Sequence, residues 1–183
     1  MDSQQTRFTA LLQAHRGIVL KVAATYARGL HDRQDLAQEI TVQLWRAFPR
    51  YEPTRIFSTW MYRIALNVAI SHLRSTAQGE RTSSLDEHPE DPAAMHVDDC
   101  TAQLAVNQRV RTLYAVIERH SPLDRALLML WLEERSQREI AEIIGISESN
   151  VATKLNRLKQ RIREQLATPN QAGQNPSHIP HGA

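Results

Sequence analysis

The segment SQREIAEIIGISESNVATKLNRLKQRIRE, residues 136–164, combines short polar side chains with a row of cations. Lys and Arg bind phosphate oxygens, and small polar or charged side chains can hydrogen-bond base edges in the major groove of DNA. The candidate contacts with duplex DNA are Glu148, Ser149, Asn150, Lys154, Arg157, Lys159 and Arg161. The segment therefore predicts DNA binding. The alternative is a helical hairpin with a solvated cationic face.

These side chains need two helices that meet at a steep angle. In a helix-turn-helix, the first helix has a small residue at the contact, the turn has a residue that tolerates positive φ, and the second helix has an apolar anchor. Ala141, Gly145 and Val151 are spaced to fill these three places. The second helix would then present its first turn to base edges in a major groove.

Capping residues predict where the helices of this region begin. Ser136 with Glu139 has the spacing of a capping box, in which each side chain satisfies a free backbone donor of the other residue. Ser147 is the expected cap of the next helix, and Ser121 followed by Pro122 predicts the start of the preceding one. The apolar residues expected on that preceding helix are Ala126, Leu127, Leu130 and Trp131.

The N-terminal part of the chain predicts a second helical bundle. We expect one long first helix that ends near Gly29, a second helix from about Asp32, and a third that is capped by Ser58. The expected apolar stripes are Phe8, Leu11, Leu12, His15, Ile18, Val19, Val22 and Tyr26; then Leu36, Ile40, Leu44, Trp45 and Phe48; then Trp60, Met61, Ile64, Ala65, Val68 and Leu73.

Charge is segregated along the chain. Residues 1–75 hold ten Arg/Lys against five Asp/Glu, residues 76–104 one against seven, and residues 105–167 eleven against eight. Two basic parts joined by an acidic one suggest that both basic parts meet a polyanion.

We predict an all-α protein with two small helical domains, a bundle of three to four helices at 1–75 and a helix-turn-helix domain at 105–167. A flexible acidic linker at 76–104 joins them, and residues 168–183 form a disordered tail.

Several functional classes are disfavoured. The single Cys100 fits a reducing compartment, and no stretch is long and apolar enough for a membrane span, so we expect a cytoplasmic protein without membrane insertion. His88, His96 and Cys100 lack the fourth ligand of a closed zinc site. We expect no metal and no cofactor, and the absence of a P-loop or of a nucleophile and base pattern argues against an enzyme.

The segment DLAQEITVQLWRAFPRYEPTRIFSTWMYRIALNVAISHLR resembles the promoter-reading domain of the extracytoplasmic-function (ECF, group IV) RNA polymerase sigma factors. In that family a D-L-x-Q-E helix is followed by a helix similar to F-x-x-W-L-Y-R-I-A-x-N. The C-terminal segment LDRALLMLWLEERSQREIAEIIGISESNVATKLNRL resembles the second DNA-binding domain of the same family. The two occur here in the order of the family, on either side of a short acidic linker.

The resemblance implies a polymerase-binding face. In the family the D-L-x-Q-E helix docks on the clamp of the largest subunit of core RNA polymerase. Asp35, Gln38 and Glu39 lie off the apolar stripe that contains Leu36 and Ile40, so they are free to pair with basic or amide partners. The alternative is an ordinary solvated face.

The resemblance also implies contact with the melted minus-ten promoter element. Asn67 aligns with the position that lines the pocket for a flipped base in the family, and its amide can both donate and accept hydrogen bonds. A melted strand requires stacking surfaces and cations. The candidate residues are Tyr51, Arg55, Phe57, Arg63 and Asn67, whereas Trp60 is expected in the core and Phe57 could serve either role.

The resemblance further implies an anti-sigma protein that docks between the two domains. Control by synthesis or by modification is the alternative. A free-standing helix-turn-helix regulator or a recombinase-like DNA enzyme would explain the C-terminal segment but not the N-terminal one. The recognition helix departs from the family at Ala152, where a cation is common, so one DNA contact is in doubt and the promoter sequence is not readable.

Overall fold

A computed structural model of the chain describes residues 2–79 and 113–167, and the regular elements in these two ranges are all helical. The predicted all-α class is therefore confirmed. Most of the predicted acidic linker, with His88, His96 and Cys100, and the predicted tail at 168–183 lie outside the described residues.

The N-terminal bundle consists of α1 (Asp2–Ala14), α2 (Arg16–Tyr26), α3 (Leu30–Ala47) and α4 (Phe57–Gly79), with a 3-10 turn at Phe48–Arg50. The C-terminal bundle consists of α5 (residues 113–118), α6 (Pro122–Leu132), α7 (Gln137–Ile144) and α8 (Glu148–Ala167). Helices α2, α3 and α4 pack against one another, and α8 packs against α6 and α7. In each bundle, the apolar faces of several amphipathic helices thus pack together in one interior.

The prediction of one long first helix is wrong. The chain turns at His15, whose φ and ψ are −117° and 15°, and α2 begins at the next residue. The amide of Ile18 donates to the His15 carbonyl at 2.9 Å, and the imidazole packs against the Phe57 ring at a centroid distance of 5.4 Å. The turn redirects α2 so that it packs against both α3 and α4.

Two tryptophans that the apolar stripes placed in the interior are exposed. The side chain of Trp45 is 42% exposed and that of Trp131 is 41% exposed. The Trp45 ring packs against the core residue Phe8 at a ring distance of 5.1 Å, and the Lys159 ammonium lies over one face of Trp131. A tryptophan at the border of an apolar stripe can lie between the protein interior and solvent, because its ring is apolar and its indole N–H is polar.

Local signals predicted the helix-turn-helix correctly. The Ser136 hydroxyl accepts from the Glu139 amide while the Glu139 carboxylate accepts from the Ser136 amide, so the capping box is present. Gly145 has φ of +81° and ends α7, and Val151 is fully buried. The helix start at Ser121-Pro122 is also confirmed. Helix α4, however, begins at Phe57, one residue before the predicted cap, and Ser58 is buried.

The two bundles touch each other, which the sequence did not predict. Helix α4 packs against α6 and α7, and α2 packs against α6. The Tyr26 hydroxyl donates to the Pro122 carbonyl at 2.7 Å, and Thr25 lies 3.6 Å from the sulfur of Met129. Because Thr25 and Met129 are both buried, the contact extends the interior of one bundle into the other.

Among the described residues, no helix is long and apolar enough to cross a membrane. The same ranges contain no group of three or more His, Cys, Asp or Glu side chains that could hold a metal ion.

Candidate nucleic-acid interfaces and the exposed face of α3

The three residues predicted to contact polymerase lie together on the outer face of α3. Asp35, Gln38 and Glu39 are exposed, while Leu36 and Ile40 on the opposite side of the helix are fully buried. Burial of that apolar side fixes the rotation of α3 in the bundle, so the three polar side chains must face solvent. We call this surface the α3 face.

Neighbouring polar groups orient the carboxylates of the α3 face. The Gln43 amide donates to the Glu39 carboxylate at 2.7 Å, and the imidazole of His31 lies 3.1 Å from the Asp35 carboxylate. Both contacts join residues four apart on one helix and are exposed to solvent, so they restrain the side chains without neutralising the face.

A cleft of about 620 Å³ lies along the start of α4 and the loop before it. We call it the strand cleft. Three of the five residues predicted to contact a melted strand line it, namely Arg55, Arg63 and Asn67. The full lining is Arg50, Glu52, Arg55, Ile56, Thr59, Trp60, Arg63, Ile64, Asn67 and Glu142.

Aromatic side chains support one side of the strand cleft. The Tyr51 ring packs 5.0 Å from Trp60 and 5.3 Å from Phe57, and the Tyr51 hydroxyl donates to the Arg55 carbonyl at 2.6 Å. Trp60, predicted to lie in the core, is only partly buried and lines the cleft. Ring packing on three sides holds Tyr51 and Trp60 in fixed orientations.

Phe57, predicted to serve either in the core or in strand contact, lies in the core. Its side chain is 7% exposed and packs between His15, Tyr51 and Trp60, so no ring face is available to a base. Its contribution is to support the neighbouring rings. Phe57 is the first residue of α4, and its ring packs into the bundle.

Sequence reasoning assigned only three of the ten lining residues to the strand cleft and missed the other seven. Arg50 adds a third guanidinium, and Ile56 is 64% exposed at the rim. Thr59 is buried and its hydroxyl has no hydrogen-bond partner among the described residues. Glu142 comes from α7 of the other bundle. Arg50 and Thr59 could have been found beside the aromatic residues in the sequence, but no local pattern predicts Glu142.

The chemistry of the strand cleft suits an extruded nucleotide. Three guanidiniums can bind phosphate oxygens, while the Asn67 amide can both donate and accept on a base edge. A buried hydroxyl without a partner is costly, so Thr59 offers a hydrogen bond that a ligand could complete. Glu52 forms an exposed ion pair with Arg55 at 3.2 Å, which partly neutralises the charge of Arg55. The positive charges of Arg50 and Arg63 are neutralised less.

Helix α8 buries Val151, Leu155 and Leu158 and exposes the opposite side. Glu148, Ser149, Asn150 and Arg157 are exposed as predicted, and Lys154 is partly exposed. Two exposed residues on the same outer side, Thr153 and Asn156, were missed because the prediction concentrated on the first turn and on the cations.

Two predicted DNA-binding cations have partners on α6 instead. The Lys159 ammonium lies 4.4 Å from the centre of the Trp131 ring, and the Arg161 guanidinium donates to Asp124 at 3.1 Å. Both side chains therefore strengthen the attachment of α8 to α6. Lys154 and Arg157 have no such contact in the described residues and remain the better placed cations for DNA.

Comparison with known proteins identifies both bundles. The family model for sigma-70 region 2 matches residues 11–78, and the model for sigma-70 region 4 matches residues 111–162, which together make up more than half of the chain. The ECF RNA polymerase sigma factor SigW of Bacillus subtilis (strain 168) is 22% identical over 170 residues, covering 88% of this chain and 90% of the relative. The chain belongs to the ECF sigma factors.

Solved structures agree with the fold of this sigma factor. CnrH in complex with the cytosolic domain of CnrY matches with a TM-score of 0.64 at 20% identity, over 91% of both chains. The sigma factor RpoE in complex with the anti-sigma factor NepR from Bartonella quintana matches with a TM-score of 0.61 at 16% identity, over 93% of this chain and all of the other. The presence of both sigma regions argues against a free-standing helix-turn-helix regulator and against a recombinase.

Proposed function

We propose that this sigma factor directs core RNA polymerase to its promoters through three separate surfaces. Residues 1–75 bind core polymerase and the minus-ten element, and residues 105–167 bind the minus-thirty-five element. The observation that carries the proposal is the strand cleft, because it combines three guanidiniums, the Asn67 amide and an unpartnered buried hydroxyl above packed aromatic rings. Binding a base pulled out of a duplex requires this combination of stacking, phosphate and base-edge contacts.

In the strand cleft, Asn67 hydrogen-bonds the extruded base, and Arg63 and Arg55 bind the phosphates beside it. Trp60, which lines the cleft, supplies the stacking surface, and Tyr51, predicted for that role, packs against the Trp60 ring at 5.0 Å. Arg50 and Thr59 extend the site along the same wall. Stabilising the melted strand in this way favours the open form of the promoter over the duplex.

The C-terminal bundle places the first turn of α8 in the major groove of the minus-thirty-five duplex. Glu148, Ser149 and Asn150 contact base edges, and Lys154 and Arg157 bind the DNA backbone or bases. Thr153 and Asn156 share this exposed side of the helix. Lys159 and Arg161 reach the DNA only if they leave Trp131 and Asp124.

The sigma factor acts as a dissociable subunit in the cytoplasm, where RNA polymerase works, and carries no catalytic centre of its own. We also assign it an anti-sigma protein that contacts both bundles and covers the α3 face. Two structures that share its fold are complexes, one of CnrH with the cytosolic domain of CnrY and one of the sigma factor RpoE with the anti-sigma factor NepR. Pull-down from unstressed cells should recover a stoichiometric partner that core polymerase displaces, and recovery of free sigma factor would contradict this assignment.

The core-binding assignment has a direct test. The double variant Asp35→Lys with Glu39→Lys reverses the charge of the α3 face without touching the buried Leu36 and Ile40. We expect it to lose co-purification with core polymerase while keeping the helix content of the wild type. The control is Glu134→Lys, a single reversal of an exposed acid on the other bundle. Equal binding of core by the double variant and the control would contradict the role of the α3 face.

A further inference from the structure

Three cations of α8 form a row along one side of the helix. Lys154, Arg157 and Arg161 follow one another at spacings of three and four residues, which makes their side chains neighbours on the helix surface. Arg161 comes twelve residues after Ser149, or about 18 Å further along the helix axis. The row therefore runs from the turn proposed to read bases towards the far end of α8.

Arg161 differs from the other two cations of this row because a carboxylate already pairs with it. Its guanidinium donates to the Asp124 carboxylate at 3.1 Å. The Asp124 side chain is only 16% exposed, whereas that of Arg161 is 53% exposed. In the parts of the chain that the structure describes, Lys154 and Arg157 have no ion pair of this kind. The negative charge of Asp124 thus neutralises the last cation of the row alone.

The position of Asp124 is fixed by α6. Asp124 lies in the first turn of this helix, and its amide donates to the capping hydroxyl of Ser121 at 3.3 Å. The positive end of a helix dipole stabilises a negative charge in the first turn. Because α6 packs against α8 as part of the bundle, the Asp124 carboxylate cannot follow the Arg161 side chain towards bound DNA.

A carboxylate and a phosphate group make the same kind of charge-assisted contact with a guanidinium, so Asp124 and the DNA backbone compete for Arg161. If Arg161 turned to a phosphate, Asp124 would lose its partner and its negative charge would repel that phosphate. A phosphate contact at this end of α8 would strengthen binding to every duplex, because backbone contacts carry no sequence information.

We propose that Asp124 is a positioning residue that limits the sequence-independent affinity of α8 for duplex DNA. It acts through Arg161, which it holds and neutralises, and it does not itself touch DNA. Since a genome offers a vast excess of non-specific sites, a weaker hold on them leaves more of the sigma factor free to bind core polymerase. The inference rests on the proposed function of α8 in duplex binding.

The test uses the full chain, in which the outer side of α8 is exposed. The probe is a fluorescein-labelled DNA duplex of random sequence, and the readout is fluorescence anisotropy at several salt concentrations. We expect Asp124→Asn to tighten binding about two- to fivefold at low salt, the size of one exposed ion contact. The slope of log affinity against log salt should become steeper by about one, as one added phosphate contact requires.

A purely structural role of Asp124 would give the opposite sign, because damage to the bundle weakens DNA binding. Asp124→Gln also removes the charge and should show the same gain in affinity and in slope. Asp124→Glu keeps a carboxylate and should behave as the wild type.

Two controls assign the gain to Arg161. The double variant Asp124→Asn with Arg161→Gln removes the whole ion pair without changing the net charge, and it should bind the random duplex as the wild type does. Glu134→Gln removes the same charge from an exposed position on the same bundle and should also match the wild type. A gain that persists in the double variant, or that Glu134→Gln reproduces, overturns the proposal.

Failure of this inference is distinguishable from failure of the proposed function. If Lys154→Ala with Arg157→Ala weakens duplex binding while Asp124→Asn and Asp124→Gln bind no tighter than the wild type, α8 binds DNA as proposed and the role of Asp124 is wrong. If Lys154→Ala with Arg157→Ala leaves duplex binding unchanged, the DNA-binding role of α8 is itself wrong, and the inference is overturned with it.

Discussion

At the scale of single residues, the proposed function of the strand cleft depends most on Asn67. Its amide is exposed on α4 and lines the cleft beside Arg63, one helical turn away. The guanidiniums can bind any strand through its phosphates, whereas an amide can distinguish one base edge from another. We therefore propose that Asn67 provides specificity for a base and that the cations provide affinity.

Asn67→Ala should reduce discrimination at one promoter position by about 1–3 kcal/mol while general strand affinity changes less. Arg63→Ala should weaken all strands to a similar degree. The measurement is binding of polymerase holoenzyme to melted-strand probes that differ at single bases. Ser71→Ala, an exposed position one turn further along α4, is the matched control. An unchanged base preference in Asn67→Ala would contradict its role.

His120 makes stability depend on pH. Its side chain is buried, and burial together with the nearby Arg161 and Arg125 cations lowers the pKa of the imidazole below its usual 6.5, against the opposing effect of Asp124. The unfolded chain thus binds a proton at a higher pH than the folded chain does. Stability contributed by neutral His120 is present above about pH 6.5 and is lost as the pH falls towards the lower folded pKa.

Urea unfolding between pH 7.5 and pH 5 tests this effect. The free energy of unfolding of the wild type should decrease on acidification, and His120→Gln should show a flatter profile over the same interval. His72→Gln, which removes an imidazole from the N-terminal bundle, serves for comparison. Parallel profiles for wild type and His120→Gln would mean that His120 does not titrate in this range.

At the scale of elements, the capping box determines where α7 begins. The Glu139 carboxylate accepts from the Ser136 amide at 2.9 Å and from the Ser136 hydroxyl at 2.8 Å, and these hydrogen bonds lower the pKa of Glu139. Ser136→Ala should cost about 1 kcal/mol of stability, since the first turn of α7 loses its cap. Ser71→Ala replaces an exposed mid-helix serine and should be neutral or slightly stabilising. Urea unfolding distinguishes the two, and equal stabilities would refute the capping role.

The contacts of α8 with duplex DNA should make promoter binding depend on salt concentration. If Lys154 or Arg157 binds a phosphate, its replacement by Ala should lower the slope of log affinity against log salt by about one, with weaker binding of all duplexes. If it reads a base instead, the loss should be about 1–3 kcal/mol at one position. Arg119→Ala, an exposed cation outside α8, is the control in titrations of promoter duplex with holoenzyme. An unchanged slope and unchanged specificity in both variants would remove α8 from the interface.

Sequence alone predicted the elements whose boundaries are encoded locally. The helix ends of the helix-turn-helix region were predictable from Ser121, Ser136, Gly145 and Ser147. Capping and positive φ depend on only a few neighbouring residues. The break at His15 was missed since the apolar stripe continues through it. The outer polar faces of α3 and α8 were also predictable, because a buried stripe determines which residues lie opposite.

At the scale of the whole molecule, the sequence could not predict how the two bundles meet. Periodicity shows that one side of a helix is buried, but not which partner buries it. Tyr26 was therefore expected in the interior of its own bundle, whereas its hydroxyl reaches the Pro122 carbonyl of the other bundle. Thr25 and Met129, which were not predicted, meet at the same contact. Glu142 gave no signal for the same reason, since the cleft that it lines is formed by residues far away in the chain.

The most direct test of the central claim is run-off transcription from genomic fragments with purified core RNA polymerase, with and without the full chain. We predict discrete transcripts that appear only when the chain is added, and their loss when the chain carries both Arg63→Ala and Asn67→Ala. Transcripts identical to those of core polymerase alone would contradict the assignment of this chain as a working sigma factor.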